Sequence, residues 1–267
     1  MKIPPLRAAA VLTTAAFALT ACGAGGGSDS PTGTPASTAS EAPTGALTVF
    51  AAASLSEIFT ALAAEFEDRN PGVTVSLVFD GSAGLASQIT EGAPADVFAS
   101  ADLATMQTVV DAGAAEDPEV FVSNVLEIAT TPGNPAGIAS FADLADPALV
   151  LVVCAPEVPC GAATAAVETL TGIELHPVSE ENSVTDVLGK VVSGEADAGL
   201  VYATDVLAAG GAVAGVPFAE AGSAVNDYPI AAVTGARQPE LAAAFVAFVL
   251  SADAQAQLAA AGFRPAP

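Results

Sequence analysis

From Leu47 the chain switches repeatedly between two hydrophobic periods. The stretch 47–52 is a run of apolar and β-branched residues, and from Ser54 onward Leu55, Ile58, Phe59, Leu62 and Phe66 recur at helical spacing. This reads as strand, tight turn, helix. The unit recurs: 73–79 predicts a strand, Asp80-Gly81-Ser82-Ala83-Gly84 a turn, and Leu85 and Ile89 the apolar side of a helix. Further on, 95–100 predicts a short strand and 102–112 a helix. A strand over 125–130 is closed by the breaker cluster Thr131-Pro132-Gly133-Asn134-Pro135. A short helix at 141–144 precedes a wholly apolar strand at 149–153, the pattern of a strand covered on both faces. After a helix to about Leu170, residues 172–178 predict a return to the sheet. A helix carrying Val184, Val187, Leu188 and Val191 follows, then strands at 198–202 and 228–234 and closing helices over 238–262, broken near Ser251. Such alternation implies an α/β fold with parallel or mixed sheets and helices on both faces.

In such sheets ligands gather beyond the carboxyl ends of the strands. Each helix start there offers unpaired N–H groups and partial positive charge, a ready site for an anion. Ser54 and Ser82 both stand at such starts. Ser54-x-x-Glu57 also fits a capping box, which would use the hydroxyl locally. The segment Cys154-Ala155-Pro156-Glu157-Val158-Pro159-Cys160 leads into a third helix and presents the backbone N–H of Cys160. Two cysteines beyond a secretory signal are most simply a disulfide; the alternative is a pair of thiols packed as small hydrophobes. Glu180-Glu181-Asn182-Ser183-Val184 opens a fourth helix. Tyr202 closes the strand at 198–202, either as packing or as a ligand contact.

With 267 residues, 52% of them hydrophobic, the chain can build one large domain or two lobes. Residues 1–21 carry the Lys2/Arg7 head, apolar run and small residues of a secretory signal. Leu19-Thr20-Ala21-Cys22-Gly23 resembles a bacterial lipobox, which implies cleavage before Cys22 and lipid on its sulfur, holding the protein at the outer face of a membrane. Residues 22–44, rich in Gly, Ser, Thr, Pro and Ala, read as a flexible tether. A formal charge of −24, from 30 acidic and 6 basic residues, argues against nucleic acid and anionic lipid as partners. Beyond the signal the cations are Arg69, Lys190, Arg237 and Arg264, none of them at a strand-to-helix turn. A bound anion would be held by neutral donors.

Five motifs in order, Ala51-Ala52-Ala53-Ser54-Leu55, Phe79-x-x-Ser82, Glu91-Gly92-Ala93-Pro94-Ala95-Asp96, Val158-Pro159-x-Gly161 and Val201-Tyr202 with Asp205, resemble the molybdate-binding proteins of ABC importers. These are a group within the two-lobed periplasmic binding proteins, and the similarity runs from about Leu47 to Phe263. It implies a type II fold: two α/β lobes with mixed, mostly parallel sheets and a two-segment hinge. Chain order assigns 45–124 plus 226–267 to lobe 1 and 125–225 to lobe 2, with crossings near Asn124 and Asn226. The resemblance implies an oxyanion held by the hydroxyls of Ser54, Ser82 and Tyr202 and the N–H groups of Cys160 and Val184, the last placed by its distance ahead of Tyr202. Molybdenum would be met only as its oxyanion, with no direct metal ligand and no cofactor. A monomer that delivers molybdate or tungstate to a membrane permease, rather than an enzyme, is the expectation.

Both ions are unprotonated dianions near neutral pH, so a site made only of donors suits them, whereas protonated phosphate needs an acceptor. Sulfate, phosphate or another small oxyanion is the alternative ligand, and Asp80 is the residue that would favour phosphate if it faced the site. From a different class, a secreted serine hydrolase would use Ser82 in its glycine-rich turn. Asp80 occupies the first glycine place of the nucleophile elbow, however, and His176 is the one histidine available as a base.

Overall fold

The computed structural model describes residues 44–267. The expected signal at 1–21, the lipid-bearing Cys22 and nearly all of the tether lie outside the described residues. In chain order the elements are β1 (Gly45–Ala52), a 3-10 turn (Ala53–Leu55), α1 (Ser56–Arg69), β2 (Val73–Asp80), α2 (Ser82–Thr90), β3 (Val97–Ala99), α3 (Leu103–Asp111), β4 (Glu119–Asn124) and β5 (Leu126–Thr130). A 3-10 segment at Phe141–Ala145 leads to β6 (Leu151–Cys154), α4 (Pro159–Thr171), β7 (Ser179–Glu181), α5 (Val184–Ser193), β8 (Ala198–Tyr202), α6 (Ala203–Ala209) and β9 (Ala214–Val216). The chain closes with β10 (Asn226–Ala232), α7 (Pro239–Val249), α8 (Ala252–Ala260) and β11 (Arg264–Pro265).

Two sheets form, a six-stranded one in the order β11-β4-β10-β3-β1-β2 and a five-stranded one in the order β7-β6-β8-β5-β9. The first takes its strands from both ends of the described chain and the second from the middle. Both are mixed, with a larger antiparallel share than strand–helix alternation suggests. The reason is that β10 returns antiparallel between β3 and β4, and β5 lies antiparallel to both β8 and β9. The chain passes from the first sheet to the second at Val125 and comes back at Asn226, and Asn124 and Asn226 are direct partners in the β4–β10 ladder.

Register sets the level at which the turns emerge. β1 and β2 run parallel from Gly45↔Val73 to Ala52↔Asp80, so the turns holding Ser54 and Ser82 start side by side. In the second sheet Cys154 is level with Glu181, which aligns the approaches to α4 and α5. β6 and β8 are buried throughout, as their unbroken apolar runs require. Between the first sheet and its helices Phe59 and Phe66 each pack edge to face on Phe245, the latter pair with centroids 5.2 Å apart, and Phe121 packs tilted against Phe59. Each such burial stabilises by about 1.5–3 kcal/mol.

The expected strand over 172–178 is not formed. Residues 173–177 are irregular, and pairing begins only at Ser179, beyond Pro177. The N–H of Leu175, which a ladder would have used, donates instead to Glu168 Oε1 at 2.6 Å. The alternation of Ile173 and Leu175 reflects one residue packed into the core beside an irregular turn rather than a pleat.

Candidate functional site

The turns that follow the parallel strands of the two sheets converge on one small cavity of about 10 Å³. From the first sheet come Ala53 and Ser54 after β1, Gly81 and Ser82 after β2, and Ala101 after β3. From the second come Pro159 and Cys160 at the start of α4, Asn182 to Val184 at the start of α5, and Tyr202 at the end of β8. Ser54, Ser82, Cys160, Val184 and Tyr202, the set that the family resemblance implies, thus line the same space.

Neither serine spends its hydroxyl on its own helix. Ser54 sits inside the 3-10 turn, and no side chain caps that turn or α1, so the capping-box reading of Ser54 and Glu57 fails. The 3-10 turn delays the start of α1 and carries Ser54 off the cap position. Its Oγ lies 3.0 Å from the hydroxyl of Tyr228. Ser82 is the first residue of α2, again without a side-chain cap, and its Oγ accepts the N–H of Ala101 at 3.0 Å. An oxygen that accepts in this way keeps its own proton free to donate.

Across the cavity, Val184 is the first residue of α5 and Cys160 the second of α4. N–H groups in these places have no partner within the helix and stand at its positive end. Pro159 at the first position of α4 suits a site where an N–H would go unused. The Tyr202 hydroxyl is buried and has no hydrogen-bond partner among the described residues. Burial, then the proximity of Tyr228 and Asp205, pushes its ionisation well above the ordinary phenol range, so it is a donor at any physiological pH. Behind it, Asp205 Oδ2 accepts the N–H of Tyr202 at 2.9 Å, and burial pushes this carboxyl up to about 7.

Two glycines are required by close approach between backbones. A Cβ on Gly81 would fall 2.0 Å from the carbonyl oxygen of Asn182 across the cavity, and one on Gly161 would fall 1.9 Å from that of Ala155. The Ala155 loop is closed by a disulfide between Cys154 and Cys160, whose Cα atoms are 5.7 Å apart. Asn226 joins the two walls, its Nδ2 donating to Ala101 O at 2.9 Å and Pro159 O at 3.4 Å.

No Arg, Lys or His lines the cavity among the described residues. Arg69 pairs with Glu65 and Asp253, and Lys190 with Glu181. Asp80 is exposed, and its Oδ1 turns back to accept the N–H of Gly81 at 2.7 Å. His176 is exposed in the irregular stretch after α4 and does not line the cavity, so Ser82 has no imidazole beside it. The described residues contain no cluster of His, Cys, Asp and Glu able to hold a metal ion. Sequence reasoning missed Tyr228, Ala101 and Asn226. Tyr228-Pro229 gave a signal only for a strand, and insertion of that strand beside β3 is a long-range pairing without local signature.

The profile of the bacterial extracellular solute-binding proteins matches residues 47–264, the span that builds both sheets and every wall of the cavity. The chain belongs to that family. Among relatives of this solute-binding protein, the molybdate-binding protein ModA of Mycobacterium bovis is 50% identical over 246 residues, covering 92% of each chain. In structure it resembles the periplasmic molybdate-binding protein of Azotobacter vinelandii, with a TM-score of 0.71 and 22% identity over 81% of this chain and 98% of that one. It resembles the sulfate-binding protein SubI of Mycobacterium tuberculosis almost as well, with a TM-score of 0.69 and 22% identity over 82% and 86% of the respective chains. At these identities the structural likeness establishes the type II binding-protein fold. Choice of anion rests with the residues in the cavity.

Proposed function

We propose that this solute-binding protein captures molybdate, and tungstate as its near-equivalent, outside the cytoplasm and delivers it to the permease of an ABC importer. The observation that carries the reading is a cavity at the meeting of the two sheets lined by hydrogen-bond donors and, among the described residues, by no charged side chain. The oxyanion would be held by the hydroxyls of Ser54, Ser82 and Tyr202 and by the N–H groups of Cys160 and Val184. Hydrogen bonds from such groups to a charged acceptor are each worth about 1.5–3 kcal/mol, offset by dehydration of the ion and by closure. The half-identical mycobacterial relative named for molybdate supports the same assignment.

In this reading residues 45–124 and 226–267 form one lobe and 125–225 the other, hinged at the paired crossings beside Asn124 and Asn226. Closure brings Cys160, Val184 and Tyr202 over an anion first met by the serines. The protein acts as a monomer, tethered through lipid on Cys22. Phosphate is disfavoured because no carboxylate among the described residues faces the cavity to accept its proton. Sulfate is the competing ligand, since it is also an unprotonated dianion and the fold is shared with a sulfate-binding protein.

Titration calorimetry with molybdate, tungstate, sulfate and phosphate tests the assignment. Micromolar or tighter binding of the first two, with sulfate weaker and phosphate weakest, is expected. Absence of molybdate binding, or phosphate binding of equal strength, overturns it.

A further inference from the structure

We propose that Tyr228 is a positioning residue for oxyanion capture: its phenol donates to Ser54 Oγ and so compels the Ser54 hydroxyl to point its proton at the ligand. The inference rests on the anion-binding reading above and adds to it a group that does not line the cavity. The two oxygens are 3.0 Å apart, and distance alone permits either to donate. The direction follows from what surrounds them. Ser54 lines the cavity, so an anion there takes its proton, and only the Tyr228 proton is then left to fill the bond between the two hydroxyls. Burial also holds the phenol far above its ordinary ionisation range, so that proton is always present.

The same device stands at the other serine. Ser82 Oγ is filled by the Ala101 N–H, which likewise leaves its proton for the cavity. Both first-sheet hydroxyls are therefore tied as donors by a second layer, one by a backbone amide and one by a tyrosine. Chains of this kind polarise one another, so the outer donor strengthens the inner one. They also carry specificity. A serine whose oxygen is already filled is poorly placed to accept from a protonated anion, and hydrogen phosphate is rejected by the orientation of hydroxyls as well as by the absence of carboxylates from the cavity lining among the described residues. The ring of Tyr228 is held by edge-to-face contacts with Phe121, Tyr202 and Phe263, with centroids 6.4, 5.9 and 5.6 Å away, which fixes where the phenol points.

The test is Tyr228→Phe, which keeps the ring and its packing, measured by calorimetry with molybdate and inorganic phosphate alone and in a Ser54→Ala background. Molybdate affinity should fall about tenfold, phosphate should weaken less or not at all, and the molybdate loss should vanish once Ser54 is alanine. A second measurement keeps Tyr228 in place. The chain has two tyrosines, so in Tyr202→Phe the ultraviolet difference spectrum reports Tyr228 alone, and saturating molybdate should shift its absorbance to the red as its donation strengthens. Wild-type protein that fails to bind molybdate overturns the functional reading and this inference with it. Wild-type protein that binds, with Tyr228→Phe unchanged, or with an equal loss in the Ser54→Ala background, or with a blue shift of Tyr228, overturns this inference alone.

Discussion

Tyr202→Phe should make the unliganded protein more stable and its oxyanion binding weaker, an opposition of signs that ordinary packing residues do not show. The side chain is 1% exposed and its hydroxyl has no hydrogen-bond partner among the described residues. Leaving such a group unsatisfied costs about 1–3 kcal/mol of folding free energy. Phenylalanine removes that cost and keeps the ring, whose T-shaped contact with Tyr228 has its centroids 5.9 Å apart. The unfolding midpoint should rise by roughly 2–4 °C for each kcal/mol recovered in a chain of this size. With an oxyanion bound, the same oxygen is a charge-assisted donor worth about 1.5–3 kcal/mol, so molybdate affinity should fall by roughly ten- to 150-fold. Scanning calorimetry without ligand and titration calorimetry with molybdate measure the two effects. A variant that melts lower than wild type, or that binds molybdate with unchanged affinity, refutes the argument that this hydroxyl is kept for the ligand.

Asp205 gives a pH-dependent prediction. Its carboxyl is raised from 3.8 to about 7 in the folded protein, so between those values the folded state holds a proton that the unfolded state has released. The contribution to stability is full below pH 3.8 and is lost as the pH rises through about 7. Asp205→Asn, whose side-chain oxygen can still accept the Tyr202 N–H, should stabilise the protein at pH 8 relative to wild type and by much less at pH 5 in urea unfolding; an equal difference at both values contradicts the assignment. Gly81→Ala should weaken molybdate binding with little loss of stability. Its backbone, at φ −58° and ψ 134°, accepts any residue, and the clash is only with Asn182 across the cavity. Loss of the folded state at ambient temperature would show instead that the Gly81–Asn182 approach is part of the core.

Local pattern was enough to determine much of this protein. Hydrophobic period placed β1, β2, β3, β5, β6, β8 and β10 and the helices α1 to α5, α7 and α8 to within a few residues, because each is amphipathic or wholly apolar, whereas β4, β7, β9 and β11 carried no such reading. The helix starts after β1, β2 and β6 and the one at Val184 were legible from the same pattern, whereas the set Ser54, Ser82, Cys160, Val184 and Tyr202 came from the family resemblance. Where local pattern failed, a distant partner intervened. Leu175 looked like part of a strand until Glu168 took its N–H, and Ser54 looked like a cap until a 3-10 turn handed its hydroxyl to Tyr228, 174 residues away. Order of strands, the antiparallel return of β10, the Asn226 bridge between walls and the second layer behind each serine were decided only by tertiary structure. Hydrogen bonds within a turn are written in neighbouring residues, whereas those that aim a ligand-binding hydroxyl depend on which distant strand the sheet brings alongside it.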